Sequence, residues 1–185
     1  MPAVAPRTRD VMLRQAARLF AERGFRGTSV EDIGSACGVS GPAVYKHFAN
    51  KDEILARLLV DISEQLLEGG RQVVTTEPDP AAALLLLVEF HTDFALAEPD
   101  TIRVQDRDLP SLNERDRGRV RRLQRSYVEL WTSVLQQLEP ALAEETARLR
   151  VHAVFGLLNS TPHSVRGRDE ARRQLTGMAL RALTG

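Results

Sequence analysis

The chain reads as all-α, with about nine helices: a three-helix N-terminal unit over residues 1–50 and a helical body over residues 51–185. Three observations predict this. Leu, Ala, Arg and Glu dominate the composition, and these residues lose little side-chain freedom in a helix. Apolar residues recur every three or four positions, with no strand alternation and no internal repeat. The segments so defined are bounded by capping residues, glycines and prolines.

Met12, Leu13, Ala16, Leu19 and Phe20 make the stripe of the first helix, and Gly24 is placed to end it. Thr28 stands three before Glu31 and Ser29 three before Asp32. Either pair suits a capping box opening a second helix, with Val30, Ile33 and Cys37 inward. Gly38 ends it. Ser40 caps a short third helix with Val44 and Phe48 inward, and Asn50 with Glu53 opens a fourth that runs to about Glu68. Gly69-Gly70 and the Thr75–Pro80 stretch predict a break. The fifth helix covers about Ala81–Ala97 and is apolar on most sides, hence central. A short sixth lies between Pro99 and Pro110. A charged seventh spans about Leu112–Leu138, stopped by Pro140, and an eighth about Glu144–Leu158. Thr161–Gly167 reads as a loop, and a last helix covers about Asp169–Leu183.

Of the 185 residues, 43% are hydrophobic and 27% charged, ordinary values for a globular protein with a real core. The single cysteine, Cys37, excludes an internal disulfide and any multi-cysteine zinc site. No metal-ligand cluster, phosphate-cradling glycine loop or nucleophile elbow occurs, so neither an enzyme nor a cofactor is expected. The start, MPAVAPRTRD, has no signal-peptide core. The apolar run Ala81–Phe90 is short for a membrane span, so a cytoplasmic protein is expected. Net charge is zero, yet residues 1–50 carry seven basic and four acidic side chains. A basic front on an acidic body is compatible with a nucleic-acid-binding head.

The stretch Cys37–Ile54, CGVSGPAVYKHFANKDEI, carries the chemistry. Gly38 supplies the backbone angle of a tight corner and Val39 fills it, which is the logic of a helix-turn-helix. The helix after such a corner presents its N-terminal end to the major groove of DNA. Ser40, Gly41, Pro42 and Ala43 would lie nearest the base edges. They are small and poor in donors, so contact with thymine methyls is expected over bidentate readout. Lys46 is the long donor there. Tyr45 and His47, flanking buried positions, suit phosphate oxygens, as do Thr28 and Lys51 at helix starts.

The front, LFAERGFRGTSVEDIGSACGVSGPAVYKHFANKDEIL over Leu19–Leu55, closely resembles the DNA-binding domain of the TetR family of bacterial transcriptional regulators. The matching features are Leu19-Phe20 with Gly24-Phe25, Thr28-Ser29-Val30 with Asp32-Ile33, Gly38-Val39-Ser40, and Tyr45-Lys46-His47-Phe48 before Asn50-Lys51. The resemblance implies phosphate contacts from Thr28, Tyr45, His47 and Lys51. It also implies a homodimer on double-stranded, palindromic operator DNA, and a repressor released by a small-molecule effector bound in the body. Pro42 and Ala43 depart from the larger polar residue and threonine of many relatives. The segment Ala95–Trp131 resembles a subgroup linked to fatty-acid or acyl-CoA metabolism, which implies an apolar or acyl-type effector.

In the body, Leu87, Phe90, His91 and Phe94 share one face of the fifth helix, and Leu123, Tyr127 and Trp131 one face of the seventh. With Leu58, Ile62 and Leu66 from the fourth helix they are expected to enclose an apolar cavity anchored by His91 and Tyr127. Arg103 and Arg107 are placed to meet an acidic group. A filled core is the competing reading for these residues. Val151, Phe155 and Leu158 in the eighth helix, with Leu175, Met178 and Ala182 in the last, supply more apolar surface than one core needs and are expected at the dimer interface. Two other functions fit the residues less well: a constitutive DNA-binding protein without effector, and an all-α enzyme using the cavity.

Overall fold

A computed structural model of the chain describes residues 8–160 and 167–185. Among them run nine α-helices and one 3₁₀ turn, with no strand: α1 Thr8–Arg23, α2 Val30–Ala36, α3 Gly41–Val44, α4 Lys51–Thr76, α5 Pro80–Ala97, α6 Pro99–Asp108, the 3₁₀ turn Leu109–Ser111, α7 Glu114–Leu138, α8 Glu144–Asn159 and α9 Arg168–Thr184. The loop expected at Thr161–Gly167 lies outside the described residues up to position 166. The helices group into two compact units. One takes the chain up to Asp61 together with Asp100–Arg119; the other takes Ile62–Pro99 and the chain from Val120 onward.

In the first unit, α1 buries Met12, Ala16, Leu19 and Phe20. Of the two capping pairs open in the sequence, the structure uses Ser29 and Asp32. Asp32 N–H donates to Ser29 Oγ at 3.0 Å and Ser29 N–H returns to Asp32 Oδ2 at 2.8 Å. The Ser29 hydroxyl also donates to Asp32 Oδ2 at 2.7 Å; that bond first, and the Ser29 N–H bond second, hold the Asp32 carboxyl below the ordinary aspartate range. Gly38 has φ +70°, which a residue with a Cβ rarely adopts. One turn earlier, a Cβ on Gly34 would sit 3.0 Å from Val39 O and 3.1 Å from Gly41 N, so the corner packs backbone on backbone. Asn50 accepts from Glu53 N–H at 2.8 Å and opens α4 as expected.

The predicted break at Gly69-Gly70 is absent: α4 runs unbroken to Thr76. These glycines serve packing rather than punctuation. A Cβ on Gly69 would lie 2.2 Å from Phe90 Cζ, and one on Gly70 2.7 Å from Tyr127 Cε2. Phe90 is half-buried, whereas Tyr127 is buried and held in a ring stack. Gly70→Ala is therefore expected to destabilise the protein by about 1–2 kcal/mol. Overpacking costs about 1–3 kcal/mol and alanine's better helix propensity returns up to about 1 kcal/mol. Urea denaturation midpoints of the two proteins check this.

The second unit is built around α5, α7 and α8. Its core joins Leu84, Leu87, Trp131, Leu135, Val151, Val154 and Leu158 with Ala179 and Leu183 of α9. By length and mean hydropathy α5 could cross a membrane, contrary to the expectation that no segment approaches that size. Its burial gives it another use. Ala83, Leu84, Leu87, Val88, His91, Thr92 and Ala95 face the core, and Arg172 of α9 pairs with Asp93 at 2.6 Å and Glu89 at 3.5 Å.

Candidate nucleic-acid interface and effector region

The outward face of the helix-turn-helix is built by a very short helix. α3 has four residues, too few to hold itself, and continues as a turn in which His47 and Phe48 N–H both donate to Val44 O. Val44 and Phe48, 0% and 2% exposed, anchor it. That pairing leaves Tyr45, Lys46 and His47 pointing outward, with Tyr45 50% exposed. Ser40 and Pro42 are exposed and Gly41 and Ala43 half-buried. Ser40 occupies the N-cap position but its hydroxyl makes no capping bond.

Two residues expected at phosphates are turned inward instead. Thr28 is 2% exposed, and its hydroxyl donates to Gly24 O at 3.0 Å and Leu19 O at 3.3 Å. Lys51 Nζ donates to Phe25 O and Thr28 O, both at 2.7 Å, and lies 4.5 Å from the centroid of the Phe25 ring. Both side chains fasten the α1–α2 turn to the start of α4. A long cation near a helix N-terminus looks the same in sequence whether it reaches outward or folds back onto carbonyls.

Arg107 also has an internal use in place of an acidic ligand. It donates to the carbonyls of Phe20 and Ala21 at the end of α1, and at 2.9 Å to Asp108. Buried Asp108 accepts from Phe25 N–H at 3.3 Å. The C-terminal turn of α6 thus adds donors at the C-terminal turn of α1: Arg107 reaches Ala21 O, and is a second donor to Phe20 O, which already accepts from Gly24 N–H at 2.8 Å. A polar groove of about 320 Å³ lies in the same unit, lined by Asn50, Asp52, Glu53, Arg57, Asn113 and Arg119 among others. None of the residues expected around an effector lines it.

In the second unit the structure brings together the expected anchors. His91 is 2% exposed, with Nε2 3.1 Å from Asn159 Oδ1 and Nδ1 3.4 Å from the Tyr127 hydroxyl. With a carbonyl oxygen facing Nε2, that nitrogen carries the proton and Nδ1 accepts. The imidazole stacks on Phe155 at 4.7 Å and 8°, Phe155 stacks on Tyr127 at 5.4 Å, and Trp131 stands edge-on to Phe155 at 5.0 Å. Phe94 meets His91 edge-on. Burial holds the His91 pKa down at about 4, partly opposed by the Asn159 bond; burial also pushes the Tyr127 phenol well up. Leu87 is fully buried, while Leu66 and Leu123 pack on the same core. Rings pack on one another at the positions where the sequence suggested a cavity lining. Leu58 and Arg103 belong to the first unit, where Arg103 faces Asp100 at 3.6 Å.

Three residues expected at a dimer interface also face inward: Val151 and Leu158 are 0% exposed, and Phe155 belongs to the ring stack. The outer face of α8 is one step round the helix, at Leu149, His152, Ala153 and Gly156, and Leu149 is 68% exposed. On α9, Met178 and Ala182 are exposed as expected and Leu175 is half-buried. Asn159 escaped sequence reasoning; its one signal is a polar side chain four residues after Phe155, on the face that buries Val151 and Leu158.

The geometry agrees with known proteins. The family model for bacterial regulatory proteins of the tetR family matches residues 12–58, and that for the tetracyclin repressor-like C-terminal domain matches residues 77–183. The HTH-type transcriptional repressor KstR2 of Rhodococcus jostii is 30% identical over 129 residues, 69% of this chain and 63% of that protein. The chain spans about two thirds of the length of the curated relatives it matches. A TetR-family transcriptional regulator from Bordetella parapertussis superposes with TM-score 0.85 at 26% identity, covering 95% of each chain. FadR of Bacillus subtilis, solved with stearoyl-CoA, shares the fold with TM-score 0.71 at 17% identity, covering 94% of this chain and 95% of that one. Helix-turn-helix and body both match, so the chain belongs to the tetR family of bacterial regulatory proteins.

Proposed function

We propose that this protein is a cytoplasmic transcriptional repressor that binds palindromic operator DNA as a homodimer and is released by a small apolar or acyl-type effector. The observation that carries the reading is the outward face of the turn after α3. Tyr45, Lys46 and His47 stand exposed in sequence while Val44 and Phe48 hold the backbone from beneath. Ser40 to Ala43 approach the base edges, and Tyr45, Lys46 and His47 contact phosphates or, for Lys46, a base. Thr28 and Lys51 act through position, fixing the turn that presents these groups. DNA reading is assigned to residues 1–50, and effector binding with dimerisation to residues 51–185. The exposed apolar side chains of Leu149 on α8 and of Met178 and Ala182 on α9 support self-association. The stearoyl-CoA held by the Bacillus subtilis FadR supports an apolar-tailed effector for this fold.

Fluorescence anisotropy on DNA from upstream of the protein's own gene, at two salt concentrations, tests this. Binding should weaken steeply with salt. Lys46→Ala should lower affinity and, if Lys46 meets a phosphate, reduce the slope of log K against log salt by about 1 on every sequence. Tyr45→Ala should lower affinity with little change in slope, because its hydroxyl carries no charge. Equal affinity for random DNA in a genome-wide selection would end the regulator reading.

A further inference from the structure

Trp131 is fully buried, yet its indole Nε1 has no hydrogen-bond partner among the described residues. The Tyr127 oxygen is close enough for that N–H to favour the ionised phenol, without the geometry of a hydrogen bond. A buried donor left without an acceptor costs about 1–3 kcal/mol, and folded proteins seldom keep one without a use. Around it stand rings: Phe155 at 5.0 Å, Tyr127 at 5.9 Å and His91 at 6.0 Å. The Tyr127 hydroxyl faces His91 Nδ1 at 3.4 Å, where its one proton is committed. Phe155 is the half-buried member of the group, while His91, Tyr127 and Trp131 are buried.

We propose that Trp131 Nε1 reads the effector, donating to a neutral carbonyl oxygen on an otherwise apolar ligand, with the Phe155 ring as the side chain that moves aside. This rests on the effector-responsive reading above. The orphan donor calls for an acceptor oxygen, and the surrounding rings call for an apolar skeleton. The oxygen is neutral because none of the five side chains (His91, Tyr127, Trp131, Phe155, Asn159) is a standing cation. A carboxylate would be buried there without a counter-charge. A ring ketone and the carbonyl of an acyl chain share this chemistry.

Trp131 is the chain's single tryptophan, so its indole N–H gives one identifiable resonance in a ¹⁵N-labelled protein. The probes are two matched pairs, 2-decalone with decalin and methyl decanoate with decane, and in addition decanoate. The expected result is a downfield indole N–H shift with a carbonyl probe and not with its hydrocarbon, and a roughly tenfold affinity advantage for the carbonyl member by calorimetry. Tenfold corresponds to about 1.4 kcal/mol, within the range of one hydrogen bond. A shift from only one pair identifies ring or chain as the source. Trp131→Phe should erase the carbonyl advantage while keeping hydrocarbon binding; if that variant does not fold, the resonance of the unaltered protein still decides. Three results overturn the proposal: no probe moves the resonance, decanoate binds tighter than methyl decanoate, or Trp131→Phe keeps the carbonyl preference, as it would if a fixed water satisfied the indole. Operator DNA added to the same samples separates the two readings. DNA binding without carbonyl preference sinks this inference alone, and carbonyl preference without DNA binding sinks the regulator reading alone.

Discussion

Lowering the pH from 7 to 4 is expected to remove about 3 kcal/mol of folding stability through one side chain, His91. Its folded-state pKa is held at about 4 by burial, against an ordinary 6.5. The unfolded chain therefore takes up a proton on this residue between those values while the folded protein does not. A depressed pKa means that the contribution is present in full above about pH 6.5 and is lost as pH falls toward 4. The slope in that window approaches about 1.4 kcal/mol per pH unit. Urea denaturation at half-unit intervals, on the protein and on His91→Gln, isolates the residue, since all other titrations are common to both. Equal slopes for the two proteins would show that the imidazole is solvated or charged in the folded state.

Phe48→Ala is expected to cost about 3–5 kcal/mol, the usual range for removing a fully buried aromatic ring. Phe48 is 2% exposed, and the Arg9 guanidinium lies 5.0 Å from its centroid. Stabilities of natural domains run to about 5–15 kcal/mol, so this is a large fraction. The loss also falls where Val44 is the one buried residue of α3 itself. DNA affinity should then drop on all sequences together, because Tyr45, Lys46 and His47 lose their common footing. Phe48→Leu, which refills most of the volume, should recover much of both quantities. Circular dichroism during urea unfolding reads the first effect and anisotropy the second.

The all-α class, the order of the nine helices, the Asn50 cap and the Gly38 corner were legible in the sequence because each rests on local rules. Periodicity and capping act over a few residues and leave their mark there. Gly69-Gly70 misled because a glycine pair that ends a helix and one that admits a neighbouring ring are identical in one dimension. Only Phe90 and Tyr127, supplied by other helices, distinguish them. Val151, Phe155 and Leu158 were placed on the wrong side of α8 for a related reason. The helix is apolar around much of its circumference, so periodicity says that two faces are buried and not which one faces the chain's own core. Thr28 and Lys51 show the limit for polar groups: their residue types suit phosphate, and carbonyls nine and twenty-six residues away claimed them first. Asn159 became meaningful only once α8 was laid beside α5.

The clamp at the end of α1 bears on how the protein is made. Phe25 waits for the carboxylate of Asp108, and the Phe20 carbonyl for the guanidinium of Arg107, separations of 83 and 87 residues. A ribosome adding about 5–20 residues per second needs roughly 4–17 s to cover that distance. Through that interval the head exists without the Arg107 and Asp108 bonds at the end of its first helix, and fragments ending before α6 lack them permanently. Maturation of the DNA-reading head is thereby tied to completion of more than half the chain, so that prematurely terminated products carry the recognition residues without the clamp on α1.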